Sequence, residues 1–136
     1  MPNYQHTSYK AGALIALGLA AATQVWAGEI VGLNAAGFLV PASDPSAESV
    51  VGRSEGNFDS TDALAGEVTA EVRRKCAFSL ANNAAAPVTQ ADLFTECYLS
   101  DANEVSISDD DGSGAGSRLT AGLVIGLSDN QVWVEM

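Results

Sequence analysis

The chain has 136 residues, 47% of them apolar and 17% charged, a composition that suits one domain with one real core and argues against a disordered chain. Six basic residues face 17 acidic ones for a formal net charge of −11, a field that repels phosphate backbones. Direct nucleic-acid binding is therefore not expected, and a basic protein partner is favoured.

Residues 1–10 (MPNYQHTSYK) show no apolar periodicity and read as an extended arm that a partner must hold in place. The apolar run 11–22 follows Lys10, and with Val25-Trp26-Ala27 behind it the stretch imitates a secretory signal with a small-x-small cleavage site. The run is too short for a spanning helix, which needs about 20 apolar residues, so no membrane anchor is expected. A single Lys in the leader weighs against cleavage. What remains is a short helix or a buried strand, and Gly12, Gly18 and the missing cap weaken the helix.

A hairpin is expected next. Ile30-Val31-Gly32-Leu33 and Phe38-Leu39-Val40 flank Asn34-Ala35-Ala36-Gly37, a loop whose Asn and Gly tolerate positive φ, and Pro41 ends the second strand or leaves it on an edge. Val50-Val51-Gly52-Arg53 reads as a short strand, and 55–66 as a long loop with one aromatic, Phe58. The clearest strand runs over 67–81, with Val68, Ala70, Val72, Cys76, Phe78 and Leu80 alternating against polar neighbours. Arg74 is the one charge on the apolar side. It belongs at a bulge, an edge or an intermolecular contact, because an unpaired buried charge costs about 3–5 kcal/mol.

Thr89 and Asp92 form a capping box after Pro87, with Val88 and Leu93 at the staple positions, and predict a helix of one or two turns. Strands resume at 97–99, 105–108, 119–127 and 131–135, separated by Asp101-Ala102-Asn103, the acidic Gly-rich loop 109–117, and Ser128-Asp129-Asn130. Thirteen glycines and many short strands give a mainly β fold: a small β-barrel or β-sandwich with one short helix and an extended N-terminal arm. The expected division is an arm or strand segment over 1–26 and one β-rich domain over 27–136.

No constellation in the chain amounts to a catalytic, cofactor or metal site. His6, the sole histidine, stands in the arm, away from any rigid frame that could hold an imidazole within about 3 Å of a nucleophile. Asp109-Asp110-Asp111-Gly112 lacks the alternation and terminal Glu of a calcium loop and reads as a solvated loop, with a weak ion site shared between copies left open. Gly112-Ser113-Gly114-Ala115-Gly116-Ser117 has no Walker Lys and follows three carboxylates that would repel phosphate. Cys76 and Cys97 cannot make a four-ligand zinc site within one chain, and their apolar neighbours favour two buried thiols. Tyr4, Tyr9, Trp26 and Trp133 either anchor an interface or, in the case of Trp133, cover the core near the C-terminus. The candidate interface residues are thus Tyr4, His6, Tyr9, Arg74 and Trp133.

The second half carries a family pattern. Ala86-Pro87-Val88-Thr89-Gln90-Ala91-Asp92-Leu93-Phe94-Thr95-Glu96-Cys97-Tyr98, then Asp101 and Val105, Ala121-Gly122-Leu123-Val124 and Val132-Trp133-Val134-Glu135 resemble the small head decoration (cement) proteins of tailed bacteriophages. Ala27-Gly28-Glu29-Ile30-Val31, Gly37-Phe38-Leu39-Val40, Gly66-Glu67-Val68 and Val72-Arg73-Arg74 resemble that family's earlier strands. The likeness spans roughly 27–136; residues 1–26 carry no matching motif and 109–117 has no counterpart. It implies a non-enzymatic minor capsid protein of the virion, made in the host cytoplasm. Such a protein sits as a homotrimer on the outer capsid surface, with the major capsid protein as partner and no cofactor or small-molecule substrate. Two rival expectations are an exported bacterial β-domain with a cleaved leader and a Cys76–Cys97 disulfide, and a small hydrolase or lectin-like binder with converging carboxylates and aromatics.

Overall fold

A computed structural model describes residues 12–136. Its strands are β1 (Leu14–Gly18), β2 (Gln24–Val25), β3 (Ile30–Asn34), β4 (Leu39–Pro41), β5 (Ala47–Ser54), β6 (Phe58–Asp59), β7 (Thr69–Arg73), β8 (Ala77–Asn82), β9 (Glu96–Asp101), β10 (Glu104–Ser106), β11 (Thr120–Ser128) and β12 (Gln131–Glu135). The one helical element among the described residues is a 3-10 turn, Gln90–Asp92. β1, β7, β5, β3 and β4 form a five-stranded sheet in that order, β10-β8-β12-β11-β9 close into a barrel, and β2 and β6 make a small ribbon. The mainly β fold with a small barrel is the architecture the composition and strand spacing call for.

The expected hairpin forms as β3 and β4, with Gly37 at φ +86° and the Asn34 carboxamide oxygen accepting from the Ala36 and Phe38 amides at 3.1 and 2.9 Å. Pro41 ends β4, the last strand in the sheet order, where its missing N–H costs no ladder bond. The ambiguous run 11–22 resolves as strand: β1 pairs antiparallel with β7 from Leu14↔Arg73 to Gly18↔Thr69. Beyond it, Leu19 bridges to Leu39 and the Ala20 amide donates to the Leu39 carbonyl at 2.9 Å, drawing the two ends of the sheet together.

Two hydrophobic clusters replace the single core expected from chain length. One gathers Leu19, Val25, Val31, Leu39, Ala70 and Val72 inside the five-stranded sheet. The other fills the barrel with Leu80, Val88, Cys97, Val105, Val124, Val132 and Val134, and takes in Ile30 and Ala42 from the sheet. β3 serves both: its period of two sends Val31 into the first cluster and Ile30 into the second. A strand covered on both faces is apolar without interruption, as Ile30-Val31 is.

The strand expected over 67–81 is not continuous. It divides into β7 and β8, with Arg74, Lys75 and Cys76 between them and Lys75 at φ +60°. The alternation holds on both sides of the break, but its residues enter different cores: Ala70 and Val72 pack inside the sheet, Leu80 inside the barrel. A run of regular period two conceals such a crossing because the break shifts the partner, not the pattern. Arg74 stands at the crossing, which is how a charge sits on the apolar side without being buried.

The capping box forms as expected around the 3-10 turn. The Asp92 carboxylate accepts from the Thr89 amide at 2.8 Å and from its hydroxyl at 3.0 Å, while Val88 is buried and Leu93 packs against the barrel core. The helix stops at this one turn because Phe94 already bonds to β11, its amide donating to the Val124 carbonyl at 2.7 Å.

Candidate interaction surface

Of the five residues singled out from the sequence, Tyr4, His6 and Tyr9 lie outside the described residues. Arg74 is half-buried at the sheet-to-barrel crossing, its amide donating to the Ala13 carbonyl at 2.8 Å. Trp133 lies on the outside of the barrel: Val132 and Val134 on either side of it are wholly buried, and Trp133 is 42% exposed. Its ring lies across Gly126 of β11, the residue opposite it in the ladder. The described structure therefore leaves Arg74 and Trp133 on separate elements.

Two further side chains join Trp133 on the barrel's exterior. A bulge between Val124 and Gly126 turns Val124 inward and leaves Ile125 37% exposed. Across β11, Phe94 is 70% exposed and has φ +63°, a backbone conformation that a bulky L-residue rarely adopts. Phe94 follows Leu93, the C-cap of the turn, where glycine or asparagine is the usual residue. That misfit between residue type and turn position was the available signal, hidden because Phe94 reads equally well as the first apolar residue of a strand.

Charge is unevenly spread. Arg53 and Arg73 pair across β5 and β7, and Glu55 bonds both, at 3.0 and 3.1 Å. The Arg53 hydrogen bond, helped by Arg73, holds the Glu55 carboxyl below its usual range. Arg53 also stacks over Phe78, 4.9 Å from the ring centroid. Arg74 and Lys75 follow directly, and the ion pairs among the described residues include neither of them. All the cationic side chains of 12–136 except Arg118 therefore gather where the sheet meets the barrel.

Several carboxylates are committed to their own loops. Asp44, Asp59 and Asp111 each accept from the amide and the hydroxyl two residues ahead (Ser46, Thr61 and Ser113), and these bonds lower their pKa values. In 109–117, Asp110 accepts from the Gly112 and Gly114 amides at 2.7 and 3.0 Å, and Asp109 from the Gly116 amide at 3.0 Å. The loop is exposed, as expected of a solvated loop, and is also organised by its own amides. No group of three or more His, Cys, Asp or Glu able to hold a metal ion occurs among the described residues.

Two clefts mark the surface. A cleft of about 360 Å³ lies between the β4–β5 turn and the acidic loop, with Asp44, Asp101, Asp111 and Arg118 on its walls. Asp44 and Asp111 are held in the ionised form, the wrong state for a general acid, and no aromatic side chain lines the cleft to stack on a sugar. A groove of about 320 Å³ separates sheet from barrel, lined by Ile30, Arg53, Phe78, Leu80 and Trp133. Cys97 is wholly buried, its thiol pushed up to about 11 by desolvation, whereas Cys76 is only half-buried, a departure from the expectation of two buried thiols. Both cysteines are free.

Comparison with protein-family models, with curated proteins and with solved structures finds no match to this chain.

Proposed function

We propose that this chain is a structural adhesion protein, a decoration protein of a bacteriophage head that binds the assembled lattice of the major capsid protein and its own sister copies, as a trimer, and catalyses nothing. The observation that carries this reading is the position of its large side chains: Phe94 and Ile125 stand on the barrel's exterior and line neither cleft, and the groove that Trp133 borders is lined by no carboxylate, histidine or cysteine. Large aromatic side chains on an exterior supply interface energy, while catalysis needs titratable groups brought together in a water-poor cleft. The resemblance of 27–136 to head decoration proteins supports the setting, and the −11 charge suits a surface that faces away from packaged DNA. Many symmetric copies on one particle turn modest contacts into firm occupancy through avidity.

The exported reading loses ground on packing. Cleavage after Ala27 would remove β1 and, with it, Leu19 and Val25, both wholly buried in the sheet's core. Loss of two such side chains costs about 2–5 kcal/mol each, comparable with the stability of a whole domain.

Incubating the full chain with heads that lack it, then sedimenting the heads, tests the proposal. Saturable binding at a fixed ratio to the major capsid protein is the expected result, weakened when residues 2–10 are removed while the domain keeps its melting transition. A chain that stays in the supernatant at every concentration, or that turns over a small substrate, would refute the proposal.

A further inference from the structure

Asp111-Gly112 is the one place in the 136 residues where Asp or Asn stands before Gly. Such a pair is prone to isomerise, because glycine's missing Cβ lets its amide nitrogen approach the preceding side-chain carboxyl. In that reaction the Gly112 nitrogen bonds to the Asp111 Cγ while the C–OH bond of the protonated carboxyl breaks. The hydroxyl leaves with the amide proton as water. Water then opens the cyclic imide at one of its two carbonyls. One opening restores aspartate; the other routes the backbone through Cβ and Cγ of Asp111 and leaves the former main-chain carbonyl as a free carboxylate, an isoaspartate. Asp111 and Gly112 are both exposed, so packing raises no obstacle to the rearrangement.

Hydrogen bonds tie both reacting groups elsewhere. The Gly112 N–H donates to the Asp110 carboxylate at 2.7 Å, and the same oxygen accepts from the Gly114 amide at 3.0 Å. The Asp111 carboxylate turns forward and accepts from the Ser113 amide at 2.9 Å and the Ser113 hydroxyl at 2.6 Å. These bonds, the hydroxyl's first, hold its carboxyl below the usual range, so the protonated form that the reaction needs is scarce at neutral pH. Around them the Asp111 amide donates to the Ser117 hydroxyl at 2.8 Å and the Gly116 amide to Asp109 at 3.0 Å. Arg118 closes the base, its amide on the Asp109 carbonyl at 2.9 Å and its guanidinium on the Ser108 carbonyl at 3.0 Å. Water satisfies exposed amides equally well, so solvation does not require this loop to bond itself. What the internal bonds add is a fixed backbone on both sides of one reactive linkage.

We infer that Asp111 is a latent isoaspartate site, held in check because Asp110 engages the attacking Gly112 nitrogen and Ser113 engages the carboxyl that it would attack. The chemistry is internal to the chain and calls for no ligand. It goes beyond the adhesive reading, since it holds wherever the protein resides, and it gives a task to 109–117, which that reading leaves unused. Isomerisation would lengthen the backbone by one carbon between Asp110 and Gly112. The short bonds from Asp110 to the Gly112 and Gly114 amides would then lose their register, so the change is self-reinforcing once begun.

Long incubation of the full chain at neutral pH, below its melting transition, is the test. Peptide mapping with electron-transfer fragmentation reads it, because that fragmentation tells isoaspartate from aspartate at equal mass. The same chain unfolded in urea supplies the reference, with sequence held constant. Isoaspartate should accumulate at Asp111 in the unfolded chain and about tenfold or more slowly in the folded one, the factor that one charge-assisted hydrogen bond is worth. Asp110→Ala should bring the folded rate toward the unfolded one, and Ser113→Ala should raise it as well. Asp110→Asn keeps an oxygen that can accept from the same two amides and should stay slow, which separates the hydrogen bond from the charge. Melting curves show that each variant keeps its core. A folded wild type that isomerises as fast as the unfolded chain would overturn the inference. So would Asp110→Ala and Ser113→Ala variants both as slow as wild type, or an Asp110→Asn variant as fast as Asp110→Ala.

Discussion

Cys97 shows how one side chain ties stability to pH. Burial on β9 raises its thiol to about 11, so the folded molecule keeps a proton that an unfolded chain releases above its ordinary thiol pKa of about 8.5. A group whose folded pKa is raised gives stability that is intact below the unfolded value and lost as pH climbs toward the folded one. The melting temperature should therefore decline between about pH 8.5 and about 11. Cys97→Ala should start lower at neutral pH, by about 1 kcal/mol for the small cavity, and fall less steeply across that window. Melting curves followed by circular dichroism over the alkaline range check this, and parallel slopes in the two proteins would contradict it. At the same scale, the sequence made Trp133 visible through strict alternation around it, whereas Phe94 was invisible. Its exposure depends on where the 3-10 turn ends, which the Phe94 bond to Val124 decides.

At the scale of elements, apolar runs and period-two alternation located most strands, because most have a face in a core; the two-residue strands β2 and β6 are too short to show a period, and β6 lies inside the stretch 55–66 expected as a loop. Alternation also misled where two cores meet. The stretch 67–81 keeps its alternation through Arg74-Lys75-Cys76 although β7 and β8 belong to different sheets, since inward residues stay inward after the partner changes. The second core was illegible for the same reason: length bounds the amount of core, and only tertiary pairing decides its division. Glycine marks one place where pairing is exacting. Gly122 sits at a bulge of β11 with φ +157°, and a Cβ there would collide with the Glu135 carbonyl of β12. Gly122→Ala should therefore cost more than about 1 kcal/mol and lower the melting temperature by roughly 4 °C or more. Thermal denaturation of the variant checks this, and a melting point equal to wild type would mean that β11 and β12 are less tightly bound to each other than their register indicates.

At the scale of the whole molecule, the distribution of charge and apolar surface matters more than any single group. Carboxylates in 109–117 and at Asp44 and Asp59 fold their own loops, and Glu55 is shared between Arg53 and Arg73. Among the described residues, Arg74 and Lys75 at the sheet–barrel crossing stay outside the ion pairs, and large apolar side chains, Trp26, Leu64, Phe94, Ile125 and Trp133 among them, stay exposed. Composition revealed the excess of acid but not its segregation, because residues distant in sequence, such as Phe94, Ile125 and Trp133, become neighbours only through barrel closure. Removal of residues 2–10 belongs to this scale as well: it should lower occupancy on heads and leave melting unchanged, a combination that separates an adhesive segment from a structural one. Equal occupancy of the truncated and full chains would place adhesion entirely on the folded domain.

Electron cryomicroscopy of heads saturated with the full chain tests the central claim most directly. The predicted result is density for a sheet joined to a closed five-stranded barrel at symmetric positions on the outer lattice, in contact with the major capsid protein. Heads whose surface stays bare under saturating protein would contradict it.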